Sequence, residues 1–592
     1  MKRIAVAGLV ALGLSACQSA QPVAVEPPPC LAQCQAEQFQ QLSQQMIDDL
    51  WRLSPTWALY SGVYDYADQL VIPDAEARQR QLAFVAKWRQ ALAAYDSKPL
   101  TGNARTDKAL LENLLDSMEW EVTRFKAWQW NPAQYNVAGP FARLMNEEYA
   151  ELDTRLKAVL GRMANVGRYY AAARDNIDNP TLEHTQLAIL QNQGGLSVFN
   201  ETMLEKARAS GLSDAEKALF EKRYLETRQA ILSFVGHLEQ LERQLKAEGA
   251  RSFRIGETLY EEKFALDIQS GMTAKQLYEK ALADRAQAQK QMLSITEQLW
   301  PKYFAGQPMP SDNQQAVRQL IDHLSARHVK REDFVAEVKA QIPELEAFVR
   351  QQDLITLDPN KPLVVRETPP YMRGFAGASI SAPGPFDKEA NTYYNVTPLD
   401  GMTDEQAESY LREYNHWILQ ILNIHEAIPG HYTQLVYSNE SPSLVKALFG
   451  NGAMVEGWAV YAERMMLEEG YGDFEMELWL MYWKWNLRVI TNTIIDYEIQ
   501  VLGADEATVM DHLVNGAFQQ QEEAAQKWRR ATLSQVQLTS YYAGFREIYD
   551  FREDYKQVKG GEFDLKAFHE RFLSYGSAPV KYVRALMLET AQ

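Results

Sequence analysis

The sequence predicts a mainly α-helical protein with one small β-sheet placed just before the helix that carries its candidate site. Three observations predict it. Apolar residues recur every three to four positions through most of the chain, often behind a capping box. One segment, Pro359 to Asp400, is instead rich in Pro, Gly and β-branched residues. Directly after it comes "ILNIHEAIPGHYTQ" (Ile421 to Gln434), with His425, Glu426 and His431 in an apolar helical pattern.

The elements follow in chain order. "MKRIAVAGLVALGLSAC" starts with Lys2 and Arg3 and continues as an apolar run too short to span a bilayer, so residues 1–16 read as a signal peptide. Its end, Leu14-Ser15-Ala16-Cys17, resembles a bacterial lipobox. That resemblance implies cleavage before Cys17, diacylglycerol on its sulfur, a lipid anchor to the membrane and a periplasm-facing chain. Gln18, where Asp would retain the protein at the inner membrane, points to the outer membrane. Residues 17–35 are then a lipid-anchored, Pro-rich tether. Cys30 and Cys34 are candidates for a short disulfide that would staple only a local turn.

Residues 36–355 form an N-terminal helical region. Ser213 with Glu216, and Thr273 with Gln276, are capping boxes, and Gly249 stands where a C-terminal cap belongs. "RTDKALLENLLDSMEWEVTRFKAW" reads as one more long amphipathic helix. Residues 356–592 form a catalytic-like region. Short strands are expected near Leu363–Arg366, Ala378–Ala382 and Thr392–Val396, and the HEAIPGH segment is expected on a helix that begins at Thr403, capped with Gln406. No flexible linker divides the two regions, which predicts that they pack as one unit with a cleft between them.

The chain has 592 residues, 46% of them hydrophobic and 23% charged, an ordinary globular composition. A formal charge of −18 argues against nucleic acid as a partner, since phosphate binding needs basic surface.

The chemistry concentrates at the two histidines. Catalytic zinc takes three protein ligands from imidazole and carboxylate, plus a water. A Glu beside the first His is placed to be the general base for that water. On a regular helix the two histidines must be four apart, whereas six apart is about 240° around the axis. Pro429 and Gly430 supply the remedy. Proline breaks the hydrogen-bond ladder and glycine tolerates unusual dihedrals, so a break there can return His431 to the side of His425. Glu456, in the apolar run of "NGAMVEGWAVYAERMMLEEG", is the expected third ligand, because burying a carboxylate needs a partner. Glu463, seven residues on and on the same face, is expected to hold a ligand histidine from behind or to pair with an arginine. His416, His512 and His569 are read as satisfied core histidines. Arg373 and Arg488 could each grip a substrate carboxylate bidentately, or form structural ion pairs.

"HEAIPGHYTQ" and "VEGWAVYAE" (Val455 to Glu463) resemble the domain-of-unknown-function family 885 (DUF885), a set of secreted bacterial proteins that includes many lipoproteins. "YYAGFREIYDFR" (Tyr541 to Arg552) resembles its Tyr-x-x-Gly helix, and "FHERFLSYGSAPVKYVRALM" (Phe568 to Met587) its C-terminal Gly-x-x-Pro segment. The family is similar to gluzincin-type zinc metallopeptidases. The resemblance implies a helical metallopeptidase-like fold with a deep cleft, Zn2+ on His425, His431 and Glu456, and Glu426 as general base. Tyr541 and Tyr542 are the tyrosines expected to stabilise the oxyanion. The expected activity is hydrolysis of a peptide substrate. The other reading is a non-catalytic helical lipoprotein that binds peptides in a peptidase-like cleft.

Overall fold

The structure is a computed structural model that describes residues 32–95, 100, 102–361, 363–368, 377–386 and 391–589. Cys17, Cys30 and Arg373 lie outside the described residues, as does the side chain of Cys34. Among the described residues the chain is mainly helical, and no helix is long and apolar enough to cross a membrane.

The helices begin where their caps place them. Ser213 accepts from the Glu216 amide while Glu216 accepts from the Ser213 amide, opening α1 (Asp214–Glu248). Gly249, at φ 98°, closes it. Thr273 and Gln276 exchange the same pair of bonds at the start of α2 (Ala274–Tyr303). The helix expected from Arg105 through Trp128 differs: it runs over Gly102–Trp120 and then widens into a π-helical turn, Glu121–Phe125.

The Pro- and Gly-rich segment forms a three-stranded sheet of β1 (Leu363–Glu367), β2 (Ala378–Ser381) and β3 (Thr392–Val396). The order is β1-β3-β2, with β1 parallel and β2 antiparallel to β3. Ala378 pairs with Val396, and Leu363 with Thr392. Central β3 is anchored to the body by Tyr394, fully buried, whose hydroxyl donates to Asn423 Oδ1 at 2.8 Å.

The next helix corrects one expectation. Thr403 and Gln406 do form a capping box, but the helix they open, α3 (Asp404–Glu413), ends before the histidines. Asn415 then accepts from the amides of Trp417 and Ile418 and starts a new helix, α4 (His416–Glu426). A second N-cap signal inside an apolar run divides what periodicity alone joins. After α4 come α5 (His431–Asn439), α6 (Gly452–Glu468), α7 (Met476–Tyr497), α8 (Gln521–Leu533) and α9 (Ser540–Lys559).

The main hydrophobic core draws on both sides of residue 355. Leu277, Ala281 and Met292 of α2 share it with Trp458 and Met465 of α6 and Leu487 and Ile490 of α7. A second core, with Phe141, Phe199 and Phe234 at its centre, lies among residues 59–238. Helix α6 is buried on nearly every side, as expected for a helix apolar all round. Full burial of each large apolar side chain contributes about 1.5–3 kcal/mol.

Two glycines let α9 cross α6 at backbone contact. A Cβ on Gly457 would overlap the backbone of Gly544, and one on Gly544 would overlap the Ala453 carbonyl. The crossing lies one residue beyond Glu456 and three beyond Tyr541, so it fixes the height of Tyr541 over the site.

Candidate metal centre

The two histidines belong to different helices. Helix α4 ends at Glu426, Ala427 leaves helical geometry at φ −109° and ψ −92°, and α5 starts at His431. The Ile428–Pro429 peptide bond is cis. The Gly430 amide donates back to the Ile424 carbonyl at 3.0 Å. A Cβ on Gly430 would overlap the carbonyl oxygens of Ile424 and His425, so only glycine fits here. Trp458 Nε1 of α6 donates to the Pro429 carbonyl at 2.9 Å and fixes this break from outside.

The break brings the rings together. The His425 and His431 ring centroids are 4.7 Å apart and nearly perpendicular. Glu456 Oε2 lies 3.3 Å from His431 Nε2 and 3.7 Å from His425 Nε2. The ligand atoms of all three residues lie within 4.8 Å of one another. Donors bound tetrahedrally to one zinc at its usual bond lengths stand about 3.3 Å apart. Direct hydrogen bonds to a carboxylate would be shorter than these separations. The spacing therefore suits an ion between the three groups better than hydrogen bonds among them.

Glu463 stands behind His425. It is fully buried, accepts from His425 Nδ1 at 2.6 Å, and accepts from Trp485 Nε1 at 3.1 Å. That contact fixes the tautomer and turns His425 Nε2 toward Glu456. Burial works to lower the His425 pKa, but Glu456 and Glu463 outweigh it and raise it. Burial likewise works to raise Glu456, and the two imidazoles outweigh it, holding the carboxyl below the usual range. Burial raises Glu463. Two carboxylates around His425 concentrate negative charge in a buried place, which a proton on the ring or a bound cation would balance.

Glu426 follows His425 directly. It is half-buried and forms no hydrogen bond or ion pair among the described residues, while its charge acts on both His425 and Tyr394. Tyr541 is brought to the site. Its ring lies nearly parallel to that of His425, with centroids 6.5 Å apart, and Arg530 donates to its hydroxyl at 3.4 Å. Tyr542 is not brought there. Its ring is fully buried and its hydroxyl donates to Asp284 Oδ2 of α2 at 2.7 Å, because adjacent residues of a helix face different ways. Arg488 is not brought to the triad: it pairs with Glu523 Oε1 at 2.7 Å and lies over the ring of Trp485. Sequence reasoning missed Trp485 and Trp458, which hold Glu463 and Pro429. Tryptophans in an apolar run carry no pattern that separates such roles from packing.

Comparisons with known proteins agree with the fold. Residues 55–587 match the family model DUF885, described as bacterial protein of unknown function. A solved structure of a lipoprotein candidate of unknown function from Shewanella oneidensis is 66% identical, with a TM-score of 0.85 over 93% of this chain and 99% of that one. A lipoprotein candidate from Colwellia psychrerythraea, 16% identical, shares the fold with a TM-score of 0.76 over 94% of this chain and 99% of that one. No curated protein matches. The chain belongs to the DUF885 family.

Proposed function

We propose that this member of the DUF885 family is a zinc-dependent peptidase of the cell envelope. The observation that carries the reading is the triad itself: two imidazoles and a carboxylate within 4.8 Å, oriented from behind by a buried carboxylate, with an unpaired carboxylate beside them. The donor set fits zinc, with His425, His431 and Glu456 as ligands and one position open. Bound there, zinc would lower the pKa of a coordinated water to about 7 and polarise the scissile carbonyl.

The chain's own residues then have distinct work. Glu426 takes the proton of the attacking water and hands it to the leaving amine. Tyr541 donates to the oxygen on which negative charge develops. Glu463 keeps His425 in one tautomer and one orientation. Strand β2 pairs on one side with β3 and forms an edge of the sheet, where an extended peptide could add as a further strand. Arg373 is a candidate grip for a substrate carboxylate. Glu456, though densely surrounded by protein, keeps about a fifth of its side chain exposed, which supports a cleft over the triad. The lipobox-like Leu14–Cys17 and the similarity to lipoprotein candidates support a lipid-anchored protein, with Gln18 favouring the outer membrane.

The test is metal content together with turnover. Purified protein loaded with zinc should hold one equivalent and cleave peptides in a mixed library read by mass spectrometry. Glu426→Gln should keep the zinc and lose about 100-fold or more of the rate. Absence of stoichiometric zinc after loading overturns the reading. A zinc-loaded protein that binds peptides without cleaving them supports the non-catalytic alternative.

A further inference from the structure

A second buried ionic group links α7 and α8. Lys484 and Arg488 lie one turn apart on α7, and Glu523 and Lys527 one turn apart on α8. Lys484 is fully matched: its ammonium lies 2.7 Å from Glu413, and both side chains are at most 5% exposed. Arg488 is half matched. One nitrogen reaches Glu523 and the Tyr414 hydroxyl acts on the guanidinium, while among the described residues buried Nη1 has no hydrogen-bond partner. Lys527 has no direct partner: its side chain is 4% exposed and among the described residues its amine forms no hydrogen bond or ion pair, although the charges of Glu523 and Glu413 act on it. Three largely buried basic side chains thus face two carboxylates. Burial, then the neighbouring Arg488, pushes the Lys527 ammonium well below the usual lysine range.

A buried charge without a counter-charge is costly unless a ligand supplies one. Here the missing charge is negative. Two paths connect the place to the triad. The Arg488 guanidinium lies 4.9 Å from the ring centre of Trp485, whose Nε1 donates to Glu463. Arg530, one turn beyond Lys527 on α8, donates to Tyr541, which faces His425. Arg488 and Glu523 are 17% and 21% exposed, close to the 22% of Glu456, so both groups open to solvent to the same small degree. Only a few side-chain contacts therefore separate these basic groups from the triad, along α7 and along α8.

We propose that Arg488 and Lys527 form a carboxylate subsite that binds the free C-terminal carboxylate of the substrate, so that peptides are trimmed from their C-terminal end. This rests on the peptidase reading above. Arginine suits the planar carboxylate by its fork of donors, and lysine adds a point charge. Glutamate side chains carry the same group, but every unmodified peptide offers the terminal one.

Two measurements test it. Zinc-loaded protein is given a mixed tripeptide pool with free C-termini and the same pool as C-terminal amides. Separately, binding of acetyl-trialanine and its amide to the Glu426→Gln protein is measured by calorimetry. Free acids should be cleaved and bound preferentially. Lys527→Met should weaken that preference about 10- to 100-fold, the loss expected for one charge-assisted hydrogen bond. It should leave the melting temperature unchanged or raised, because the charge removed has no partner; a purely structural lysine would lower it. Equal cleavage of acids and amides overturns the subsite and leaves the peptidase standing. No cleavage, but acid-selective binding lost in Lys527→Met, keeps the subsite and overturns the peptidase. Equal binding of acid and amide overturns the subsite. A glutamate-containing amide that matches the free acids overturns the C-terminal assignment.

Discussion

Helix α6 touches buried histidines on two of its faces, and the two faces treat them in opposite ways. On one, Glu456 and Glu463 press carboxylates against His425. On the other, Tyr461 meets His569 Nε2 at 2.7 Å, and the Leu354 carbonyl meets its Nδ1 at 2.9 Å. Burial lowers the His569 pKa to about 4, and the Leu354 carbonyl and the Asp564 carboxylate raise it too little to offset that. Both rings are buried and hydrogen-bonded, so burial does not distinguish a ligand from a structural histidine. The sign of the charge around the ring does. A neutral ring with neutral partners is complete, while a ring among carboxylates takes up positive charge, from a proton or from the zinc proposed above.

That contrast can be broken experimentally, and the largest effect should come from Glu456. Glu456→Ala removes one of three ligands and should abolish stoichiometric zinc and the thermal stabilisation zinc gives, both read by metal analysis and melting curves. Retained stoichiometric zinc would place the ion elsewhere. Glu463→Gln keeps a hydrogen-bond acceptor and removes the charge behind His425. It should weaken zinc about 10- to 100-fold in a chelator competition, in line with other partners of metal-bound histidines.

His569 sharpens the other side of the comparison. Its folded-state pKa is depressed from 6.5 to about 4. The neutral form is therefore the one the fold prefers. The stability it contributes is present above about pH 6.5 and is lost as pH falls toward 4, on the order of 3 kcal/mol. Denaturant melts of His569→Gln should show a flatter decline over that window and unchanged zinc affinity at pH 7. An equally steep decline would assign the acid sensitivity to other groups. The smallest effect on zinc belongs to Gly544→Ala. It should force α9 off α6 and lower the melting temperature without lowering zinc affinity, because no ligand lies on α9.

Much of this arrangement is written locally in the chain. The three capping boxes and the strands follow from residues a few positions apart, and so does the break at Pro429-Gly430. Glu456 is legible because a carboxylate in an apolar run needs a partner. What is not legible depends on contacts between distant segments. Nothing near Tyr542 in sequence says that its hydroxyl meets Asp284, 258 residues away. Gly457 and Gly544 look like ordinary helical glycines until the helices cross. Lys527 reads as a solvated charge on an amphipathic helix until α8 docks with that face inward. The helix opened by Thr403 ends earlier than its periodicity implies, because Asn415 is a weak signal inside a strongly apolar pattern.

The Trp458 bond to Pro429 has a wider consequence. Helix α6 carries the candidate ligand Glu456, a clamp on the histidine-bearing break at Trp458, and the hydrogen-bond partner of His425 at Glu463. These three tasks occupy eight consecutive residues, and their relative positions are set by helical geometry alone. The helix therefore works as a jig on which the centre is assembled. To transplant this centre into another scaffold, a designer would have to carry residues 456–463 across intact and in register with the break. Copying the three ligands alone would leave behind the parts that hold them in place.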